Sequence, residues 1–258
     1  MSPLIALFSA NARRVFRRNF VAWQKYAFSS IAINTIDPFI YFLALGLGLG
    51  AYVQLAGHMS LMQFIAPGLL GVTAMNAATF DSCWGCFERL NFNGVYESMV
   101  TAPVAPLEIA AGEYLWQAFR SALYGTLFLG AVAAFGLVHS YWVVVCPIVF
   151  ALTGMAFAVP SFYVAMRVAT QEHLFFYFSF VVTPMIMFGG VFFPLDRMPA
   201  WVTDLAWCTP LFHAVSASRQ LLNGAPNAAF AIDVAWLVVF TIAMAFVPSR
   251  ILRNKLGN

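Results

Sequence analysis

Six apolar runs, each about 20 residues long, leave this chain little choice of architecture: about 30 to 52, 61 to 82, 114 to 138, 141 to 165, 174 to 193 and 229 to 248. A run of roughly 20 apolar residues is what a helix needs to cross a bilayer, and hydrocarbon admits only helices or closed barrels, whose backbone polar groups pair among themselves. Charged residues fill only 9% of the positions, where a soluble protein carries roughly 25%. The pattern predicts an all-α membrane protein with six transmembrane helices. It forms a single domain over 1–258, in which 1–27 is an N-terminal segment and 28–258 the six-span core.

The placement of Lys and Arg orients these spans, because basic loops stay in the cytoplasm. Five precede the first run (Arg13, Arg14, Arg17, Arg18, Lys25), Arg89 and Arg167 sit in alternate loops, and Arg250, Arg253 and Lys255 end the chain. Only Arg197 and Arg219 fall on the other side, and Arg120 lies inside a run. Both termini are therefore predicted to be cytoplasmic. The first apolar run is too long for a cleavable signal and contains Asp37-Pro38, so it is expected to stay as a span. On a helix, residues 4–18 place Leu4, Phe8, Ala12 and Val15 on one side and the four arginines mostly on the other. That predicts an amphipathic interfacial helix, with its apolar side in acyl chains and its arginines near anionic headgroups. No nucleic-acid partner is expected.

The loop from Phe80 to Glu113, between the second and third runs, would then face the cytoplasm. It holds Cys83-Trp84-Gly85-Cys86, a spacing used in redox and zinc sites. The reducing compartment argues against a catalytic thiol pair. A zinc ion would need two further ligands, and no other Cys or His lies in the loop, so no metal is expected. A helix of about two turns is predicted here, with Asn93 as its N-cap, Val95 and Met99 on one face, and Pro103 ending it. Polar Asn91, Asn93, Glu97 and Ser98 beside Tyr96, Met99 and Val100 would let this helix fill a groove on a soluble partner. A solvated connecting turn fits the same spacing.

Polar residues inside the runs are candidates for a pathway or a seam between copies. Asn34, Asp37 and Tyr41 share one helical face, and an acidic group in a span costs about 2.5–3.5 kcal/mol on insertion scales. Asn76 and Thr79 could bond a sugar hydroxyl or a neighbouring helix. Glu113 and Arg120 lie seven apart, two helical turns, and are expected to form a structural charge pair through an intermediate group. Gly46 and Gly50 permit close helix approach.

Several ordered segments resemble one family: "DPFIYFLALGLGLG" from Asp37, "FIAPGLL" from Phe64, "ERLNFNGVYESMVTAPVAPLEIAAGE" from Glu88, "FFYFSFVVTPMIMFGGVFFPLDRMPAWV" from Phe175 and "PLFHAVSASRQLLNG" from Pro210. Together they are similar to the membrane subunits of type-2 ABC exporters, and within them to the NodJ-like subfamily associated with lipo-oligosaccharide export. The resemblance implies a half-transporter in the bacterial cytoplasmic (inner) membrane that forms a homodimer and binds two copies of a separate ABC ATPase subunit. It implies a cytoplasmic coupling helix at Asn93 to Thr101 and external re-entrant helices between Phe193 and Gly224, before the sixth span.

No G-x-x-x-x-G-K-[ST] phosphate loop occurs, so the chain is not expected to be an enzyme, and ATP and Mg would be bound by the partner. An amphiphilic lipid or lipo-oligosaccharide is the expected cargo, with drugs or other hydrophobic small molecules as the alternative. An ion-coupled secondary transporter titrating Asp37 is the alternative of another class.

Overall fold

A computed structural model describes residues 3–50, 52, 59–224 and 226–256, with the side chains of 3, 4 and 246–256 excepted; the side chains of Leu4, Arg250, Arg253 and Lys255 thus lie outside what is described. Every element among the described residues is helical, with no strand.

The chain begins with α1 (Pro3–Leu7) and α2 (Ala10–Gln24), separated where Ser9 caps α2 by accepting from the Ala12 N–H. This break corrects the single helix expected over 4–18. The apolar side also differs: Ala12, Val15, Asn19 and Trp23 are buried against protein, while Phe8 is exposed. α3 (Ala27–Leu43) runs into a π-helical stretch, Ala44–Leu49. α4 (Leu61–Phe80) starts at a capping box in which Ser60 and Gln63 exchange hydrogen bonds.

α4 does not stop where its apolar run ends. It passes through a π turn, Asp81–Gly85, into α5 (Cys86–Asn91). Most of the expected loop after Phe80 is therefore helix. The short α6 (Val95–Val100) follows, and then α7 (Pro106–Ala134), opened by proline at its first turn, where no backbone donor is lost. α8 (Cys146–Arg167) follows a 3-10 turn, Tyr141–Val145. α9 (Glu172–Tyr177) and α10 (Thr183–Phe188) are joined by a π stretch. α11 (Ala200–Trp207), α12 (Pro210–Asn223) and α13 (Ala228–Leu256) complete the chain.

Four helical stretches among the described residues are long and apolar enough to cross a membrane: Ala27–Leu49, Leu61–Asn91, Tyr141–Arg167 and Ala228–Ala245. α7 is long enough at 29 residues but buries Glu108, Glu113, Gln117 and Arg120, which lowers its hydropathy. Glu172–Phe188 is apolar but shorter.

α4, α7 and α8 form the centre, with α12 and α13 packed on one side and α2 across α7. Small residues bring these helices close. A side chain at Gly154 of α8 would collide with Ser121 of α7, and one at Gly112 of α7 with Val15 of α2. The hydrophobic interior has two main parts and a small third, Ala6, Ala12 and Ala111, where α1 and α2 meet α7. The larger joins Leu61 to Ala78 of α4 with Phe128, Phe150, Leu211 and Val215. The smaller lies at the α6 end around Phe87, Tyr96, Tyr114, Phe162 and Leu174.

Candidate functional site

Where α4 turns into α5, four charged side chains meet inside the bundle. Arg89 Nη2 lies 3.1 Å from Asp81 Oδ2 and 3.1 Å from Glu113 Oε2, and Arg120 Nη1 lies 2.9 Å from Asp81 Oδ1. Gln117 Nε2 and Trp116 Nε1 also donate to Asp81, at 2.5 and 3.2 Å. Two carboxylates and two guanidiniums thus form a neutral cluster, the form in which charge can be buried without leaving an unpaired ion. Glu113 and Arg120 do not touch; Arg89 and Asp81 stand between them. Cys86 Sγ accepts from Arg89 at 3.2 Å, and Cys83 and Cys86 are buried free thiols.

The π turn makes the cluster possible. Residues eight apart on a straight α-helix sit about 80° from each other, whereas a π turn takes in one residue more. With that extra residue, Asp81 and Arg89 come around to the same face, toward α7. Neither α-helical spacing nor hydropathy pairs them in the sequence.

α6 is tied to this cluster through Tyr96. Its hydroxyl donates to Glu113 Oε1 at 3.0 Å and accepts from Arg89 Nε at 3.3 Å, and the side chain is fully buried. Burial raises the Tyr96 pKa well above its ordinary value, so the hydroxyl keeps the proton it donates. Two expectations are corrected here. Tyr96 points into the bundle and not toward a partner. Asn93 does not cap α6: the N-cap is Gly94, in the left-handed conformation at φ 56°, which turns the chain out of α5. Asn93 is exposed just before it. Glu97 and Ser98 are exposed, Val95, Met99 and Val100 are half-buried, and Phe92, which no sequence pattern marks, is 70% exposed at the tip of the turn.

The other candidates are scattered. On α3, Asn34 Nδ2 bonds the Ser30 carbonyl at 2.8 Å, while Asp37 and Tyr41 are exposed on the outer face, and the Asp37 carboxylate has no hydrogen bond or ion pair among the described residues. Only 11% of the α3 span is buried, against 78% of the α4 span. Asn76 Oδ1 is buried without a partner. Thr79 is fully buried and bonds the Met75 carbonyl of its own helix at 2.8 Å, so in this conformation it faces packing and not a pathway. Gly46 packs on Met62 of the same chain. No cluster of three or more metal-ligating side chains occurs among the described residues.

A family model for the ABC-2 type transporter matches residues 10–223, from α2 through α12. The chain belongs to the ABC-2 type transporter family. It is therefore the membrane subunit of an ABC transporter. Nodulation protein J of Rhizobium leguminosarum bv. viciae is 33% identical over 245 residues, covering 94% of this chain and 93% of that protein. Nodulation protein J of Neorhizobium galegae is 34% identical over 245 residues, with 94% and 92% covered. The inner membrane transport permease YadH of Escherichia coli K12 is 26% identical over 245 residues, with 91% and 94% covered. The ABC-2 match includes every member of the buried cluster and all of α6.

In this ABC-2 chain α2 is locked to α7 by a further contact the sequence did not disclose. Asn11 Nδ2 donates to Glu108 Oε2 at 2.8 Å and to the Pro103 carbonyl at 3.1 Å, and Glu108 also accepts the Ala105 N–H at 2.9 Å. Burial raises the Glu108 pKa, but the Asn11 amide and the Ala105 N–H outweigh it and hold the carboxyl below the usual range. A second buried group, on α12 and α13, joins His213 Nδ1 to Asp233 Oδ1 at 2.7 Å and His213 Nε2 to the Trp207 carbonyl at 2.8 Å.

Proposed function

We propose that this chain is the permease of an ATP-driven exporter that moves an amphiphilic lipid or lipo-oligosaccharide out of the bacterial inner membrane. Two copies pair, and each receives one ATPase subunit, which binds the ATP and Mg, at α6. The observation that carries this reading is Tyr96. It connects an exposed cytoplasmic helix to charges bonded across α4, α5 and α7, so a push on α6 is delivered to the core of the bundle. Phe92, Asn93, Glu97 and Ser98 form the face offered to the ATPase, and Val95, Met99 and Val100 seat the helix on the bundle.

In this reading all six helical runs cross the membrane, both termini are cytoplasmic, α2 lies in the cytoplasmic headgroup layer, and α11 and α12 re-enter from outside. Membership in the ABC-2 family supports the transport role, and the resemblance of the ordered segments to the NodJ-like subfamily favours a lipo-oligosaccharide cargo over drugs or other hydrophobic small molecules. Asp37 supports the homodimer. A carboxylate on a span facing lipid is costly, whereas in a seam between two α3 helices it meets protein or the water of a pathway, together with Asn34 and Tyr41.

Reconstitution in nanodiscs with its ABC ATPase tests the docking face. A Phe92→Asp, Glu97→Arg variant should insert normally and lose at least about 10-fold in ATPase affinity, the loss expected of an interface hot spot. Unchanged binding would remove α6 from the interface. Solute movement without any ATPase, abolished by Asp37→Asn, would replace this reading with an ion-coupled transporter.

A further inference from the structure

Three arginines reach into the bundle from its helices. Arg89 and Arg120 have carboxylates; Arg219, on α12, has none. The chain contains ten Asp and Glu residues, all of them among the described positions, and none lies within ion-pair distance of Arg219. Its guanidinium is instead held by backbone and ring. Nη2 donates to the Gly190 carbonyl at 3.1 Å and to the Phe64 carbonyl at 3.5 Å, and the group lies 4.6 Å from the centre of the Phe64 ring. Nε is enclosed without a partner, and Nη1 makes no hydrogen bond among the described residues. Carbonyls and a ring fix the orientation of a cation but do not neutralise it.

The surroundings favour an anion that carries an apolar chain. Phe64 stands in the first turns of α4, whose amino terminus adds positive potential. Gly190 is flanked in sequence by the half-exposed rings of Phe188 and Phe193. Arg219 also lies far from α6: Phe64 and Asp81 are seventeen residues apart along α4, about 26 Å at helical rise.

We infer that Arg219 is an anion-binding site at the end of the bundle remote from α6, built to take the phosphate group of an amphiphile through Nη1 while Phe188 and Phe193 meet its chain. The phosphate belongs to a membrane phospholipid or to a transported amphiphile; the chemistry of recognition is the same. Binding at Arg219 does not depend on export, so it stands or falls separately from the proposed function.

The test uses the full chain, stripped of lipid in a neutral maltoside detergent, with native mass spectrometry as the readout. Dioleoylphosphatidylglycerol, dioleoylphosphatidylcholine and dodecyl phosphate are titrated into wild type, Arg219→Gln and Arg219→Lys. One anionic molecule per chain should bind saturably, with affinity falling at least about 10-fold in Arg219→Gln and largely kept in Arg219→Lys, as expected for a charged hydrogen bond. Tighter binding of the phosphatidylglycerol assigns the site to membrane lipid, and tighter binding of dodecyl phosphate assigns it to a single-chain amphiphile. Equal affinity of wild type for phosphatidylglycerol and phosphatidylcholine overturns the inference, as does phosphatidylglycerol binding unchanged in Arg219→Gln. If Arg219→Gln does not fold, the headgroup comparison on wild type decides alone.

Discussion

The junction of α4, α5 and α7 and the outer face of α3 both carry acid, and they treat it in opposite ways. At the junction, Asp81 and Glu113 are each bonded to an arginine and to at least one further donor, so each carboxylate finds its counter-charge within one chain, although Arg120 Nε is buried without a partner. On α3, Asp37 is exposed with no partner beside Tyr41 and Ile40, which are also exposed. The contrast separates what folds the chain from what the chain offers to something else. Charges that answer each other are internal machinery; a carboxylate left open on a span calls for water or a second copy.

Replacing residues in order of expected cost sharpens that contrast. Arg89→Ala should be the most damaging, since it leaves both Asp81 and Glu113 without one of their arginine contacts; removing one partner of a buried pair costs about 3–5 kcal/mol. Thermal unfolding in detergent would measure this, and a loss below about 1 kcal/mol would mean that water already reaches the cluster. Gly94→Val comes next, at about 1–2 kcal/mol, because a β-branched residue is strained in the left-handed region. Limited proteolysis between Asn91 and Pro106 should quicken in that variant.

Glu108 gives a smaller, pH-dependent effect. Its folded pKa lies below the unfolded value, so its contribution is complete above about pH 5 and fades as pH falls below the ordinary glutamate value of about 4.3. Glu108→Gln should cost about 1 kcal/mol at neutral pH and flatten the acid side of the stability profile, as read by exchange of α2 amides. Asp37→Asn should change stability of the single chain least, within about 0.5 kcal/mol, while altering cross-linking between two copies through a cysteine placed at Ile40. Strong destabilisation of the single chain by Asp37→Asn would erase the distinction between the two regions.

Hydropathy made the helices legible. Each apolar run lies mostly in helix, and Ser60 with Gln63, and Pro106, mark helix starts that local chemistry alone explains. The position of α6 was also readable, from the short polar interval and Pro103. Its inner face was not, because Tyr96 looks amphipathic in sequence and only the placement of Glu113 and Arg89 draws it inward. The partners of Glu113 and Arg120 were hidden by the π turn, which alters helical phase without a compositional signal. Residues 4–18 placed Ala12 and Val15 on the covered side of α2 but misplaced Phe8 and did not show what covers that side, since Gly112, the residue that lets Val15 approach, is nearly a hundred positions away.

The link between α6 and the cluster is one hydroxyl, and Tyr96→Phe removes it while keeping the ring that fills the core. In nanodiscs with the ABC ATPase, ATP hydrolysis and outward movement of a fluorescent lipo-oligosaccharide should be measured together. The expected result is normal ATPase binding, hydrolysis within about 3-fold of wild type, and transport per ATP reduced by about 10-fold, which corresponds to about 1.4 kcal/mol. Transport per ATP equal to wild type would contradict the claim that Tyr96 carries force from α6 into the bundle.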